Sequence, residues 1–89
     1  MTTNLSFPEA VIAVKDNHRI ARAGWNGKGM YVFLVRGDAV KQAIHNCYGD
    51  PSVDAYDVLD ALYMFTANKE LVPWVASQAD VLATDWEIV

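Results

Sequence analysis

Near the start of the chain the apolar positions recur at helical spacing: Phe7, Ala10, Val11 and Val14 share one face. Ser6 and Glu9 stand at the two ends of a capping-box spacing, and Pro8 is tolerated in a first turn. Asp16-Asn17 closes the helix, since asparagine suits a left-handed stop. The period then changes. His18 to Ala23 reads as a strand, with Ile20 and Arg22 on one face and Ala21 and Ala23 on the other. Met30 to Val35 is apolar on both faces and rich in β-formers, which predicts a central strand. The two strands form a hairpin across the glycine-rich loop from Gly24 to Gly29.

Asp38 is placed to cap a second helix, with Val40, Ile44 and Cys47 on one face. Tyr48-Gly49-Asp50-Pro51-Ser52 breaks the chain, and Val53 to Asp60 suits a helical turn or a strand equally. Leu62 to Thr66 predicts another strand, Asn68-Lys69 its turn, and Leu71-Val72 the start of its partner. Ser77-Gln78-Ala79-Asp80 repeats the capping-box spacing and opens a short helix through Ala83. Asp85 to Val89 is a brief terminal strand. The expected class is α+β: a small antiparallel sheet with two or three short helices, in a single domain over residues 1–89.

Composition adds an expectation about assembly. With 53% hydrophobic residues, three Trp, four Tyr and three Phe, the chain has more apolar surface than one small core needs. A homo-oligomer that buries the excess is the expected state. The net charge of −4 argues against coating a nucleic-acid polymer, yet it is unevenly spread. Residues 1–41 carry six basic side chains against three acidic ones, whereas the rest has Lys69 against eight carboxylates. That asymmetry permits a local anion site on an acidic protein. The lone Cys47 excludes an internal disulfide and a cysteine-based zinc site. No apolar run reaches the length of a membrane span, and Met1-Thr2-Thr3-Asn4 lacks the regions of a signal peptide. These features imply a cytosolic protein without membrane partners.

Chemistry concentrates in two blocks. Ala21 to Met30 holds Arg22, Trp25, Asn26 and Lys28 among three glycines. Arginine offers a planar fork for phosphate, lysine a mobile point charge, asparagine a donor and an acceptor, and tryptophan a flat stacking face. The spacing is neither a dinucleotide fingerprint, since a β-rich run follows it, nor a P-loop, since Gly29 and Met30 replace the required Ser or Thr. The alternative is a hairpin loop whose Trp25 packs on the sheet. Pro73 to Asp80 is the second block: Trp74 stands beside a helix N-terminus, and Ser77, Gln78 and Asp80 could read hydroxyls or a base edge. There the alternative is capping by Ser77 and core packing by Trp74. His18 and His45 have no nucleophile at a recognisable spacing, and His45 and Cys47 point to different helix faces. Asp80 and Asp85 could approach as a carboxylate pair, although capping and solvated roles are commoner. No catalytic set, metal site or cofactor is expected.

The two blocks, in this order, resemble a phage family once classed only as a domain of unknown function and now known as the second type of Thoeris anti-defence protein. Its members carry an Ala-Arg-x-Gly-Trp-Asn-Gly-Lys-Gly-Met block and close with Val-Pro-Trp-x-Ala-Ser-Gln-x-Asp-x-Leu-Ala-x-Asp-Trp-Glu, here Ala21 to Met30 and Val72 to Glu87. Roughly residues 36–61 form a variable middle. The resemblance implies a sponge. Thoeris immunity uses a TIR-domain enzyme to make a cyclic ADP-ribose isomer from NAD, and family members bind this glycocyclic ADP-ribose without degrading it. It further implies homotetramers with pockets between protomers, and a separate site in some members for cyclic dinucleotides of CBASS. Arg22, Trp25, Asn26, Lys28, Trp74, Gln78 and Asp80 are the expected ligand-binding residues, their roles taken from residue chemistry. Two other classes stay open at this point: a nucleotide-signal hydrolase using Asp80 or Asp85, and an interaction module that blocks an immune effector.

Overall fold

The computed structural model describes residues 2–25, 29–49, 52 and 55–89. The described elements are α1 (Phe7–Lys15), β1 (Ile20–Arg22), β2 (Tyr31–Val35), α2 (Gly37–Tyr48), β3 (Ala61–Phe65), β4 (Leu71–Pro73), α3 (Gln78–Leu82) and β5 (Trp86–Ile88). The strands form one antiparallel sheet in the order β4-β3-β2-β1-β5, so the fold is α+β as the pattern predicts. β2, apolar on both faces, is central.

The C-terminal strand is inserted beside β1, with Ile20 opposite Ile88, Ala21 opposite Glu87 and Arg22 opposite Trp86. Leu5 extends that edge, its N–H donating to the Trp86 carbonyl at 2.8 Å. The N-terminal segment and β1, the strand that enters the glycine-rich loop, therefore flank β5 on its two sides.

α1 begins with the expected capping box: Ser6 N–H donates to Glu9 Oε1 at 2.9 Å, and Glu9 N–H to Ser6 Oγ at 3.3 Å. The Ser6 N–H, followed by its hydroxyl, holds the Glu9 carboxyl below the usual range. The helix ends at Asp16, and Asn17 takes the left-handed conformation, φ 67°. Its buried residues Ala10, Ala13 and Val14 pack with Ile20, Val32 and Trp86 to form the core. Trp86 is fully buried, 5.5 Å from the Phe7 ring, and its indole N–H donates to the Asp80 carbonyl at 2.9 Å. A buried aromatic of this size brings a large apolar area out of water while its one polar atom stays paired.

Alternation puts Tyr31, Phe33, Tyr63 and Phe65 on the opposite face of the sheet, paired across β2 and β3 and half-buried. The Tyr31 and Phe65 rings stack at 5.2 Å.

The second helix corrects the expectation for Asp38. The cap position belongs to Arg36, which has extended backbone and caps with no side chain, and Asp38 lies inside the first turn. The carboxylate that serves this end comes from far along the chain: Gly37 N–H donates to Asp60 Oδ1 at 2.7 Å. Gly37 is required there by close approach, since a Cβ would stand 1.7 Å from the Val58 carbonyl oxygen. Val40 and Ile44 are half-buried, whereas Cys47 is exposed, so the expected apolar face is shorter than the pattern suggests. Gly49, with φ 62°, closes the helix by donating to the His45 carbonyl.

Candidate binding groove

Two capping boxes bracket the molecule, and the second builds the site. Ser77 caps α3: Asp80 N–H donates to Ser77 Oγ, while Ser77 N–H and Oγ–H both donate to Asp80 Oδ2 at 2.9 Å. That leaves Asp80 Oδ1, which accepts from Arg22 Nη1 at 3.0 Å. Arg22 Nε donates to Asp85 Oδ1 at 2.9 Å, and Asp85 Oδ2 accepts the Gly24 N–H at 3.0 Å. Sequence alternation aims Arg22 at this cluster because Trp86, its partner across the sheet, lies on the same face.

The electrostatics follow from the geometry. Hydrogen bonds to Asp85 and then Asp80 raise the Arg22 pKa. Burial works against ionisation of Asp80, but hydrogen bonds from the Ser77 N–H, the Ser77 hydroxyl and Arg22 outweigh it, so its pKa is lowered. Asp85 is lowered chiefly by the Arg22 hydrogen bond, against a smaller burial effect and with help from the Gly24 N–H. Asp80 and Asp85 do approach each other, with a guanidinium between them. Both stay ionised, and their oxygens face inward.

Trp25 and Trp74 meet over Trp86. Trp25 lies 6.4 Å from Trp74 and 5.5 Å from Trp86, and Trp74 lies 6.0 Å from Trp86, all edge to face. Each of the two is only partly buried, so each keeps an open surface while its other side joins the core. The two blocks, far apart in the chain, are thus brought together.

Beside β1 opens a groove of about 510 Å³, a size that suits a small ligand. Arg19, Arg22, Trp25, Tyr31 and Glu87 are among its lining residues. Of the residues expected from the sequence, Arg22 and Trp25 line this groove, and Trp74 stands behind Trp25. Asp80 is reached through Arg22. Gln78 is exposed at the first position of α3. Asn26 and Lys28 lie outside the described residues.

Sequence reasoning missed Arg19, Tyr31, Glu87 and the role of Asp85. Arg19 shares a strand face with Ala21, and that alternation was the available signal. Pairing of β5 with β1 then brings Glu87 to the same face, and no local pattern announces that pairing. Arg19 lies over the Tyr31 ring, its Cζ 4.7 Å from the centroid. Among the described residues, no group of three or more His, Cys, Asp and Glu side chains is close enough to hold a metal ion.

A family model described as the Thoeris anti-defense 2-like domain matches residues 5–89. Thoeris anti-defense 2 of Bacillus phage SP01 is 37% identical over 89 residues, covering 100% of this chain and 99% of that protein.

Proposed function

The chain belongs to the Thoeris anti-defense 2-like family, and from that premise we propose that it is a sponge that binds and holds a cyclic ADP-ribose isomer, glycocyclic ADP-ribose, without cleaving it. The coarse class, phage anti-defence, follows from family membership; the ligand and the mode of action are the proposal. The observation that carries it is the groove beside β1, where aromatic faces and arginines meet in one concavity. A signal made of adenine, two riboses and a pyrophosphate needs a stacking face, a phosphate donor and hydroxyl acceptors. Trp25 supplies a face, Arg19 supplies donors beside Arg22, and Glu87 supplies an acceptor. Trp74, Gln78, Asn26 and Lys28 complete the proposed set.

Sequestration is favoured over hydrolysis by the state of the two carboxylates. A hydrolase would use Asp80 or Asp85 as a general acid or base. Both are already committed to Arg22, Ser77 and Gly24, and a lowered pKa makes each a poor proton carrier near neutral pH.

The proposal extends to assembly and to a further ligand class. Tyr31, Phe33, Tyr63 and Phe65 form an aromatic sheet face, and Leu71 beside it is 60% exposed. Burial of that face in a homotetramer would remove it from water and place grooves near protomer boundaries. Cyclic dinucleotides of CBASS would be taken at a separate site. The protein would work in the cytoplasm of the infected host. Among the described residues, no helix is long and apolar enough to cross a membrane.

The test is to load the protein with glycocyclic ADP-ribose, remove free ligand, denature by heat and identify what is released. Intact ligand supports the sponge. A cleaved product supports the hydrolase, and no retained ligand with a co-purified effector supports an interaction module.

A further inference from the structure

Two arginines are among the residues that line the groove, and their surroundings differ. Arg22 is held by two carboxylates, at 2.9 Å to Asp85 and 3.0 Å to Asp80, and its side chain is only 22% exposed. One positive charge between two negative ones leaves a cluster that repels an incoming anion. Those bonds engage Nε and Nη1, and the donors that remain belong to a charge already balanced by two carboxylates.

Arg19 is built differently. It is exposed, and among the described residues it makes no ion pair with any carboxylate. Its backbone is fixed by the Val89 N–H, which donates to the Arg19 carbonyl at 2.9 Å. Its guanidinium lies over Tyr31, which is itself stacked on Phe65 from the neighbouring strand. A ring takes no side-chain hydrogen bond from the guanidinium, so the contact leaves N–H donors for a ligand, and such donors can grip phosphate with two parallel hydrogen bonds. An aromatic face also limits the rotamer freedom that a long side chain would otherwise lose on binding.

We infer that Arg19, held over the Tyr31 ring, is the residue that takes the pyrophosphate of a nucleotide ligand in this groove, and that Arg22 is a brace that positions the loop carrying Trp25. The inference rests on the nucleotide-binding reading above and deepens it by naming the anion-binding residue. Arg22 acts at one remove: through Asp85 it fixes the Gly24 N–H, and so sets where the chain turns toward Trp25.

Two probes test this on the full chain: glycocyclic ADP-ribose by calorimetry, and inorganic pyrophosphate by phosphorus NMR line broadening. Arg19→Gln should fold as the parent does, judged by circular dichroism and melting temperature. It should bind the nucleotide at least about tenfold more weakly, the scale of losing a charge-assisted pair. Arg19→Lys, which keeps charge but not the fork, should fall between the two. Pyrophosphate should broaden with the parent and not with Arg19→Gln. Equal affinity and equal broadening in parent and Arg19→Gln would overturn the assignment. If the parent ignores the nucleotide but still broadens pyrophosphate through Arg19, the anion site stands and the signal-binding reading fails. Binding of neither probe by the parent overturns both.

Discussion

Arg22 and Asp85, separated by 63 positions in the chain, are joined by a 2.9 Å hydrogen bond from Nε to Oδ1. The other oxygen of the same carboxylate accepts the Gly24 N–H at 3.0 Å. One aspartate therefore ties the end of β1, the start of the glycine-rich loop and the approach to β5. Arg22 carries the link on to Asp80 and the α3 cap.

Removing Arg22 strands two carboxylates, one of them with a side chain only 12% exposed. Arg22→Met should lower stability by about 2–3 kcal/mol, because breaking a partly buried pair leaves an uncompensated charge. Asp85→Asn should cost less, about 1–2 kcal/mol, since Asp80 still faces the guanidinium. Chemical denaturation of the two variants beside the parent checks the order, and a larger effect for Asp85→Asn would contradict it.

Acid should unfold this cluster first. The folded pKa values of Asp80 and Asp85 are lowered, so their stabilisation is present above the unfolded carboxylate value of about 3.9 and is lost as pH falls through the lower folded values. Arg22 has a raised pKa, so its contribution is fully present below the unfolded arginine value and is lost only in strong alkali. Melting temperature measured against pH should be flat near neutrality and fall in acid. Replacing both aspartates by asparagine should flatten the acid limb, and an unchanged limb would assign the proton uptake elsewhere.

Truncation of the tryptophans should separate core from groove. Trp86→Ala removes a fully buried ring and its bond to the Asp80 carbonyl, and should cost about 3–5 kcal/mol. Trp25 and Trp74 both rest on that ring, so Trp25→Ala or Trp74→Ala should also destabilise, by a smaller amount. Trp25→Phe keeps an aromatic contact and is the cleaner variant for ligand binding. Thermal melts followed by calorimetry on the folded variants would show whether the two effects divide this way.

Gly37→Ala should be more damaging than Gly49→Ala. A methyl group at Gly37 meets the Val58 carbonyl at 1.7 Å and forces the start of α2 away from Asp60. Gly49 has open space and only the cost of its left-handed conformation, about 1–2 kcal/mol. Denaturation midpoints for the pair decide the matter, and equal losses would mean that the 58–60 segment yields to the added carbon.

Local chemistry made much of this molecule legible in its sequence. Ser6 with Glu9 and Ser77 with Asp80 are reciprocal caps that need only four consecutive residues, so spacing alone locates both helix starts. Met30 to Val35 is apolar on both faces, and only a central strand buries both. The first cap of α2 was not legible. Asp38 has the right chemistry within reach, yet Asp60, 23 residues beyond Gly37, occupies the position through tertiary packing.

The candidate site divides the same way. Residue types and turn-forming glycines are local properties, so the chain shows Arg22, Trp25 and Trp74 in two chemically dense blocks before it folds. What each does there depends on packing between distant strands. Insertion of β5 beside β1 sets Asp85 against Arg22 and consumes its charge, and it brings Glu87 to the face of Ala21. Pairing of β2 with β3 stacks Phe65 under Tyr31 and so holds Arg19 in the groove. Charge pairing and stacking act between atoms a few ångströms apart, and which atoms those are is settled by strand order.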